Sequence, residues 1–439
     1  MRGSTRVAAP TAPDGVDARV APPLPIPGFI KRNTLYLAAA QACVGIGNQM
    51  VPTLGALMVV HLVGSPALAG AATGIMGGCR LLAAYPAGYV TDVYGRKAAL
   101  VLGLLVAMLG SFVVGLAMTQ DSAPLFFAGL VTFGLGMNAV QQLRIAAADM
   151  YPPSRRAEGL GYVLTGSLLG VLGGPVVVSY ASARAPGLGL DPMGLAWMLI
   201  PLVLVPSLAL VFLVRPDPKD IAEHLDRYYP GYSGPIVSAA PRFSLANVGQ
   251  YLRHYPKLAV YVTSFSLFSN MTMMMAFNGV ALAHHGHDLP AISASVAVHI
   301  VGMFGFSIPI GHLADAFGRR NVMLAGLVGA ALGGVLLPTT GEYWLATVGT
   351  FLVGIGWATV NVAGVAVIAD TSGYQERGRA LGINDACGGL GSISVPLLAG
   401  PLVAVAGLPS LAVVSLVLMV PALVFLLSLR EPFPGQYDH

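Results

Sequence analysis

The sequence predicts an all-α, polytopic membrane protein of about twelve transmembrane helices, arranged as two pseudo-symmetric six-helix bundles. Three observations lead there. Only 10% of the 439 residues are charged and 55% are hydrophobic, with a mean hydropathy of +0.74. A soluble domain carries roughly 25% charged residues, so this chain cannot cover a water-facing surface of its size and the lipid bilayer is its expected surrounding. The apolar stretches are long and continuous, without the ten-residue alternation of a barrel strand, so helices satisfy the backbone in lipid. Finally, the two halves of the chain repeat each other.

Apolar runs bounded by charges and Pro/Gly clusters place the first six spans at about 34–59, 66–90, 97–119, 122–148, 158–182 and 193–214. The second six fall at about 256–283, 289–312, 320–339, 342–369, 380–405 and 408–429. Residues 1–33 read as a Pro/Ala-rich disordered cytoplasmic tail with no apolar signal core. The N-terminal bundle is then 34–214 and the C-terminal bundle 256–430. Between them, 215–255 is a polar cytoplasmic linker, with an amphipathic surface helix expected to start near Ser244, and 431–439 is a second tail.

Orientation follows from the cations. Of the 23 Lys and Arg, only Arg184 falls on one side of this map, Arg80 and Arg144 lie inside spans, and the rest share the side of the termini. The positive-inside rule puts both termini in the cytoplasm, which for a bacterial protein means an inner-membrane location. The net charge of +4 expresses this asymmetry and calls for no nucleic-acid partner. Cys43, Cys79 and Cys387 sit in apolar segments and are too few for a disulfide framework.

The repeat is explicit. Gly88-Tyr-Val-Thr-Asp92-Val-Tyr-Gly95-Arg96-Lys97 ends the second span, and Gly311-His-Leu-Ala-Asp315-Ala-Phe-Gly318-Arg319-Arg320 ends the eighth. At nearly the same offset, Asp149, Arg156, Leu160 and Gly161 correspond to Asp370, Arg377, Leu381 and Gly382. The run Gly161-x8-Gly170-x3-Gly174-Pro175 corresponds to Gly382-x8-Gly391-x3-Val395-Pro396.

The doubled G-x3-D-x2-G-R-[RK] loop resembles motif A of the major facilitator superfamily. That resemblance covers nearly the whole chain and implies two bundles around a central cavity. It also implies a cytoplasmic latch built from Asp92 and Arg96, Asp315 and Arg319, with Asp149 and Asp370 as acidic partners. Val93 and Ala316 stand where an Arg often follows the motif Asp, which weakens the expected latch. No GxxxxGK[ST] loop occurs, so nucleotide hydrolysis at a P-loop is excluded and gradient-driven transport, not catalysis, is expected.

Polar and soft residues inside spans mark candidate pathways. Met271 and Met275 on span seven, and His299 and Met303 on span eight, are each four apart and so share a helix face. Counted from the turn near Gly286 at 1.5 Å per residue, all four fit within roughly 9 Å of depth near the midplane. Thioethers with an imidazole and no carboxylate suit a soft cation, Cu(I) above all, and argue against Mg, Ca or Mn. The same residues also fit ordinary core packing for the methionines and a proton relay or structural role for the histidine. The MxxxM and HxxxM pair, on spans seven and eight, further resembles the CcoA-like copper importers, a bacterial branch of the superfamily. That resemblance implies copper as the transported substrate with no resident cofactor. It also implies a supply of copper to cbb3-type cytochrome oxidase assembly; thioethers bind Cu(I) without holding it as thiolates do, which suits release to a cytoplasmic copper chaperone or other thiol carrier.

Weaker candidates surround this set. His284, His285 and His287 in the turn above it are candidates to capture metal, and Cys43, Met50, Met76, Cys79 and Cys387 to relay it. Arg80, Arg144 and Asp385 are candidate coupling groups. The glycine run of span five resembles motif C of drug/proton antiporters, although Val176, Val177, Val178 and Ser179 follow where the motif continues differently. A drug or small-metabolite/proton antiporter is therefore the alternative, with small-residue helix packing as the other explanation of the run. A transport-incompetent receptor or scaffold is a third reading, disfavoured by the doubled latch.

Overall fold

Where the sequence carries long apolar runs, the chain forms long helices, and no strand occurs among the described residues. The computed structural model describes residues 25–152, 155–230, 248–372 and 377–431. The long helices are α1 (Gly28–Val63), α2 (Ala71–Tyr94), α3 (Arg96–Thr119), α4 (Ala123–Asp149), α5 (Glu158–Leu188) and α6 (Pro192–Leu213). In the second half they are α7 (Tyr255–His284), α8 (Leu289–Phe304 continued by Ser307–Phe317), α9 (Arg319–Thr339), α10 (Tyr343–Asp370), α11 (Arg377–Ala406) and α12 (Ser410–Ser428). Among the described residues, ten are individually long and apolar enough to cross a membrane, and α8, bent by 40° at its break, makes eleven. The remaining expected span is α2, a 24-residue helix made less apolar by Arg80, Asp92 and four glycines.

Two expected boundaries shift. Helix α1 starts at Gly28, inside the expected tail, because Ile30 is fully buried and Asn33 donates to the Arg215 carbonyl. The expected linker begins by packing on the first bundle: Pro218–Glu223 and Leu225–Tyr228 are short helices, and Ile221, Leu225 and Tyr229 enter its core. Ser244 lies outside the described residues, and a short helix follows at Val248–Arg253.

Packing sorts the chain into two bodies. The buried members of one core cluster run from Ile30 to Tyr229, and those of a second from Tyr251 to Leu429. Within each, glycines let helices approach closely, as in membrane bundles generally. A Cβ on Gly166 or Gly170 of α5 would strike the Ala38 or Ala42 carbonyl of α1. A Cβ on Gly391 of α11 would strike Ser269 of α7. The span-five glycine run and its repeat thus do the same packing job in both halves, while Gly161 and Gly382 face open space. Helix α4 breaks at Gln141–Gln142, and α10 carries a π segment at Val360–Gly364, the matching place in the repeat.

A third cluster joins the bodies: Ala56 and Ala69 pack with Phe277, Val395 and Ala399. Gly279 of α7 sits against the Thr53 carbonyl, and a Cβ on Gly70, just before α2, would overlap the Pro396 carbonyl of α11. The first piece of α8 packs on the second piece of α5. All these contacts lie in the helix halves remote from the two termini.

Candidate functional site

On the terminal side of that seam, side chains from both bundles line a cavity of about 320 Å³. The first bundle contributes Gln41 and Asn48 of α1, Met76 of α2, and Gln141 and Arg144 of α4; the second contributes Met271 and Met275 of α7 and His299 and Met303 of α8. Their helical spacing explains the choice: on α7, Met271 and Met275 reach the cavity one turn apart, while Met273 and Met274 turn into the apolar core and are fully buried.

His299 is 1% exposed. Its Nδ1 lies 2.7 Å from the Thr350 carbonyl oxygen of α10. A carbonyl only accepts, so Nδ1 carries the proton and donates, and the Nε2 lone pair is left free. That Nε2 is buried and has no hydrogen-bond partner among the described residues. An imidazole oriented through one nitrogen, with the other unpartnered and three methionines lining the same cavity, has the donor types of a soft-metal site. Across the cavity, Gln41 donates to Ser167 at 2.9 Å and leaves its carbonyl oxygen without a partner among the described residues. Among the described residues no three His, Cys, Asp or Glu are placed to share a metal ion, so hard or thiolate coordination is not on offer there.

The relay candidates divide. Met76 lines the cavity. Met50 does not reach it, being fully buried in the first core, and neither does Cys79, whose thiol donates to the Val131 carbonyl of α4 at 3.5 Å. Cys43 and Cys387 are half-buried and absent from the lining. In the far turn, the rings of His284 and His285 meet edge to face at 5.3 Å, but His285 bonds the Ala281 carbonyl and His287 the Gly341 carbonyl. Nearby backbone thus engages two of the three rings.

Nearer the termini, Arg96 Nε donates to Asp149 at 2.8 Å, and Arg319 pairs with Asp370. Each pair joins two helices of one bundle. Gly88 falls within α2 and Gly311 within α8, while the side chains of Asp92 and Arg377 lie outside the described residues. Asp315 is exposed, without an ion pair among the described residues. Gly95 and Gly318 take φ of +91° and +88°, the left-handed region that favours glycine. Each turn then opens a helix whose N-terminus meets a carboxylate the sequence reading missed. Asp217, just after α6, accepts from the backbone of Arg96 and Lys97 at 3.1 and 3.0 Å, and Glu431, just after α12, accepts from Arg320. The signal was an acid directly behind the last span of each half.

A sequence model described as Major Facilitator Superfamily matches residues 37–277 and 260–438. The chain is 27% identical over 401 residues to an uncharacterized MFS-type transporter, YddS, of Bacillus subtilis, covering 87% of this chain and 89% of the other. It is 27% identical over 360 residues to the riboflavin transporter RfnT of Brucella anthropi, covering 81% and 85%. Among solved structures, the inward-open xylose transporter XylE from E. coli superposes with a TM-score of 0.69 at 16% identity, covering 93% and 98%. That likeness is one of fold.

Proposed function

The chain belongs to the Major Facilitator Superfamily, and on that premise we propose that it is a secondary transporter that imports copper. The observation that supports this reading is the buried, unpartnered Nε2 of His299, a residue that lines one cavity with Met271, Met275 and Met303. Four neutral soft donors suit Cu(I), and thioethers release it more readily than thiolates, which fits transfer to a thiol carrier in the cytoplasm. In this reading the protein lies in the bacterial inner membrane with both termini inside, and the copper serves cbb3-type oxidase assembly. The bundles rock about the cavity. In this reading the closed far seam leaves the site on the cytoplasmic side, and parting that seam admits copper from the periplasm. The Arg96–Asp149 and Arg319–Asp370 pairs brace the cytoplasmic ends of each bundle through the cycle.

The likeness to a riboflavin transporter and the size of the cavity favour a second reading, a small-metabolite/proton antiporter. Radiolabelled copper uptake in cells expressing wild type, His299→Ala, Met271→Ala and Asp92→Asn separates the two. Copper import predicts loss of accumulation in all three at normal membrane levels. Wild-type accumulation by His299→Ala and Met271→Ala would discard copper and leave proton-linked uptake or efflux of an organic substrate.

A further inference from the structure

A bare Cu(I) ion would be poorly served by the charges of this cavity. Its four candidate ligands are neutral, so they leave the ion its full positive charge. Among the described residues, the only carboxylate whose charge acts on Arg144 is Asp385 of α11, and Arg80 of α2 acts on both. Two guanidiniums against one carboxylate leave this group with a net positive charge. None of the three makes a hydrogen bond or an ion pair among the described residues, and of the two guanidiniums it is that of Arg144 that belongs to a cavity-lining residue. Arg144 lines the same cavity as the Met/His set, and Arg80 stands one helical turn from Met76, which also lines it. The volume, about 320 Å³, is that of a small-molecule site and far exceeds what one ion fills. Gln41 and Gln141 add polar side chains to the same wall.

We propose that the protein takes copper as a small anionic complex. His299 and two of the three thioethers hold the metal, the organic ligand's own donor completes its shell, and Arg144, its positive charge reinforced by that of Arg80, holds a carboxylate on that ligand. This inference rests on the copper reading and assigns Arg144 and Arg80 to substrate recognition in place of coupling. The anion brought with the metal offsets the positive charge that would otherwise repel it, and the fixed fork of Arg144 suits a carboxylate.

The test uses purified protein in proteoliposomes and two Cu(I) thiolate complexes that differ only in the tail of the ligand: mercaptoacetate, with a carboxylate, and 2-mercaptoethylamine, with an ammonium. Wild type should take up radiocopper from the carboxylate complex at least about fivefold faster, a ratio that one well-made charged contact supports. Arg144→Gln should abolish that preference by slowing the carboxylate complex alone, and Arg144→Lys should restore part of it. Met271→Ala and His299→Ala should lose both complexes. The inference is overturned if wild type shows no preference, or if Arg144→Gln slows both complexes equally. It is also overturned if free acetate raises the ammonium complex to the carboxylate rate, since the anion would then travel apart from the metal. Retention of both uptakes by Met271→Ala and His299→Ala would instead remove the copper reading itself.

Discussion

His299 Nδ1 and the Thr350 carbonyl oxygen, 2.7 Å apart, tie the midpoint of α8 to α10 and decide which imidazole nitrogen keeps a free lone pair. The tie depends on close packing. Gly354, one turn along α10, sits against His299 so tightly that a Cβ there would overlap the His299 carbonyl and come within 3.3 Å of Nδ1.

Gly354→Ala should therefore tilt the ring while leaving every candidate ligand in the sequence. Loss of a group that orients a metal-binding histidine costs about 10–100-fold in affinity, and Cu(I) competition titration of the purified protein should show a loss in that range. Thr350→Val is the control. The bond uses the backbone carbonyl, and the Thr350 hydroxyl already serves the Thr347 carbonyl. Its Cu(I) affinity should stay within about twofold of wild type, below the cost of a typical net hydrogen bond. Equal losses in both variants would show that the geometry at Nδ1 does not govern binding.

The far seam should respond to size at a single position. Because a Cβ on Gly70 meets the Pro396 backbone, Gly70→Val must part α2 from α11 or shift one of them. Spin labels at the exposed Leu68 and Val405, in a background with Cys43, Cys79 and Cys387 replaced, should report longer distances when Gly70→Val is added. Copper uptake should fall at least about tenfold, the consequence of a shift of only ~1.4 kcal/mol between states. An unchanged distance distribution would mean that the seam yields elsewhere.

Much of this arrangement is legible in the sequence, and the limits have physical causes. Helix positions follow from apolar runs because lipid leaves the backbone no other solution. The alternation of Met271 and Met275 with the core methionines Met273 and Met274 follows from helix periodicity alone. What spacing cannot convey is contact between spans distant in the chain. Met50 and Cys79 lie on faces that look equivalent to Met76 in one dimension, yet neighbouring helices bury them. Asp217 and Glu431 escaped notice because a single acid behind a span carries no periodic pattern. It acquires meaning only when the chain end folds back onto α3 or α9. The bare nitrogen of His299 was equally invisible, since the partner that orients it is a backbone carbonyl 51 residues away.

The Arg96–Asp149 bridge is half-buried, with side chains 21% and 17% exposed. Such a pair lies between an exposed bridge, worth about 0–1 kcal/mol, and a buried one, whose rupture costs about 3–5. Asp149→Ala should cost about 1–2 kcal/mol of stability by that interpolation. It should slow transport far more than it lowers the melting temperature. The exchanged pair, Arg96→Asp with Asp149→Arg, should recover part of the uptake. An exchange no better than the single substitution would show that Arg96 acts through a partner other than Asp149.

The last prediction concerns the segment behind α6. Tyr229 reaches back to donate to the Met150 carbonyl at 2.8 Å, and the neighbouring Tyr151 hydroxyl lies 3.0 Å from that of Thr34. Burial pushes both phenols above their ordinary range. A phenol whose pKa is raised in the fold contributes stability that is whole below the unfolded pKa, about 10, and that is lost as pH rises beyond it. The melting temperature should thus be flat between pH 7 and about 9 and fall above about 10. Tyr229→Phe should lower it at pH 7 by the loss of one hydrogen bond, about 1 kcal/mol. The same variant should show a shallower fall at high pH, because one of the two buried protons is gone. Parallel slopes for wild type and Tyr229→Phe would assign the alkaline loss to other groups and leave Tyr229 as a packing residue alone.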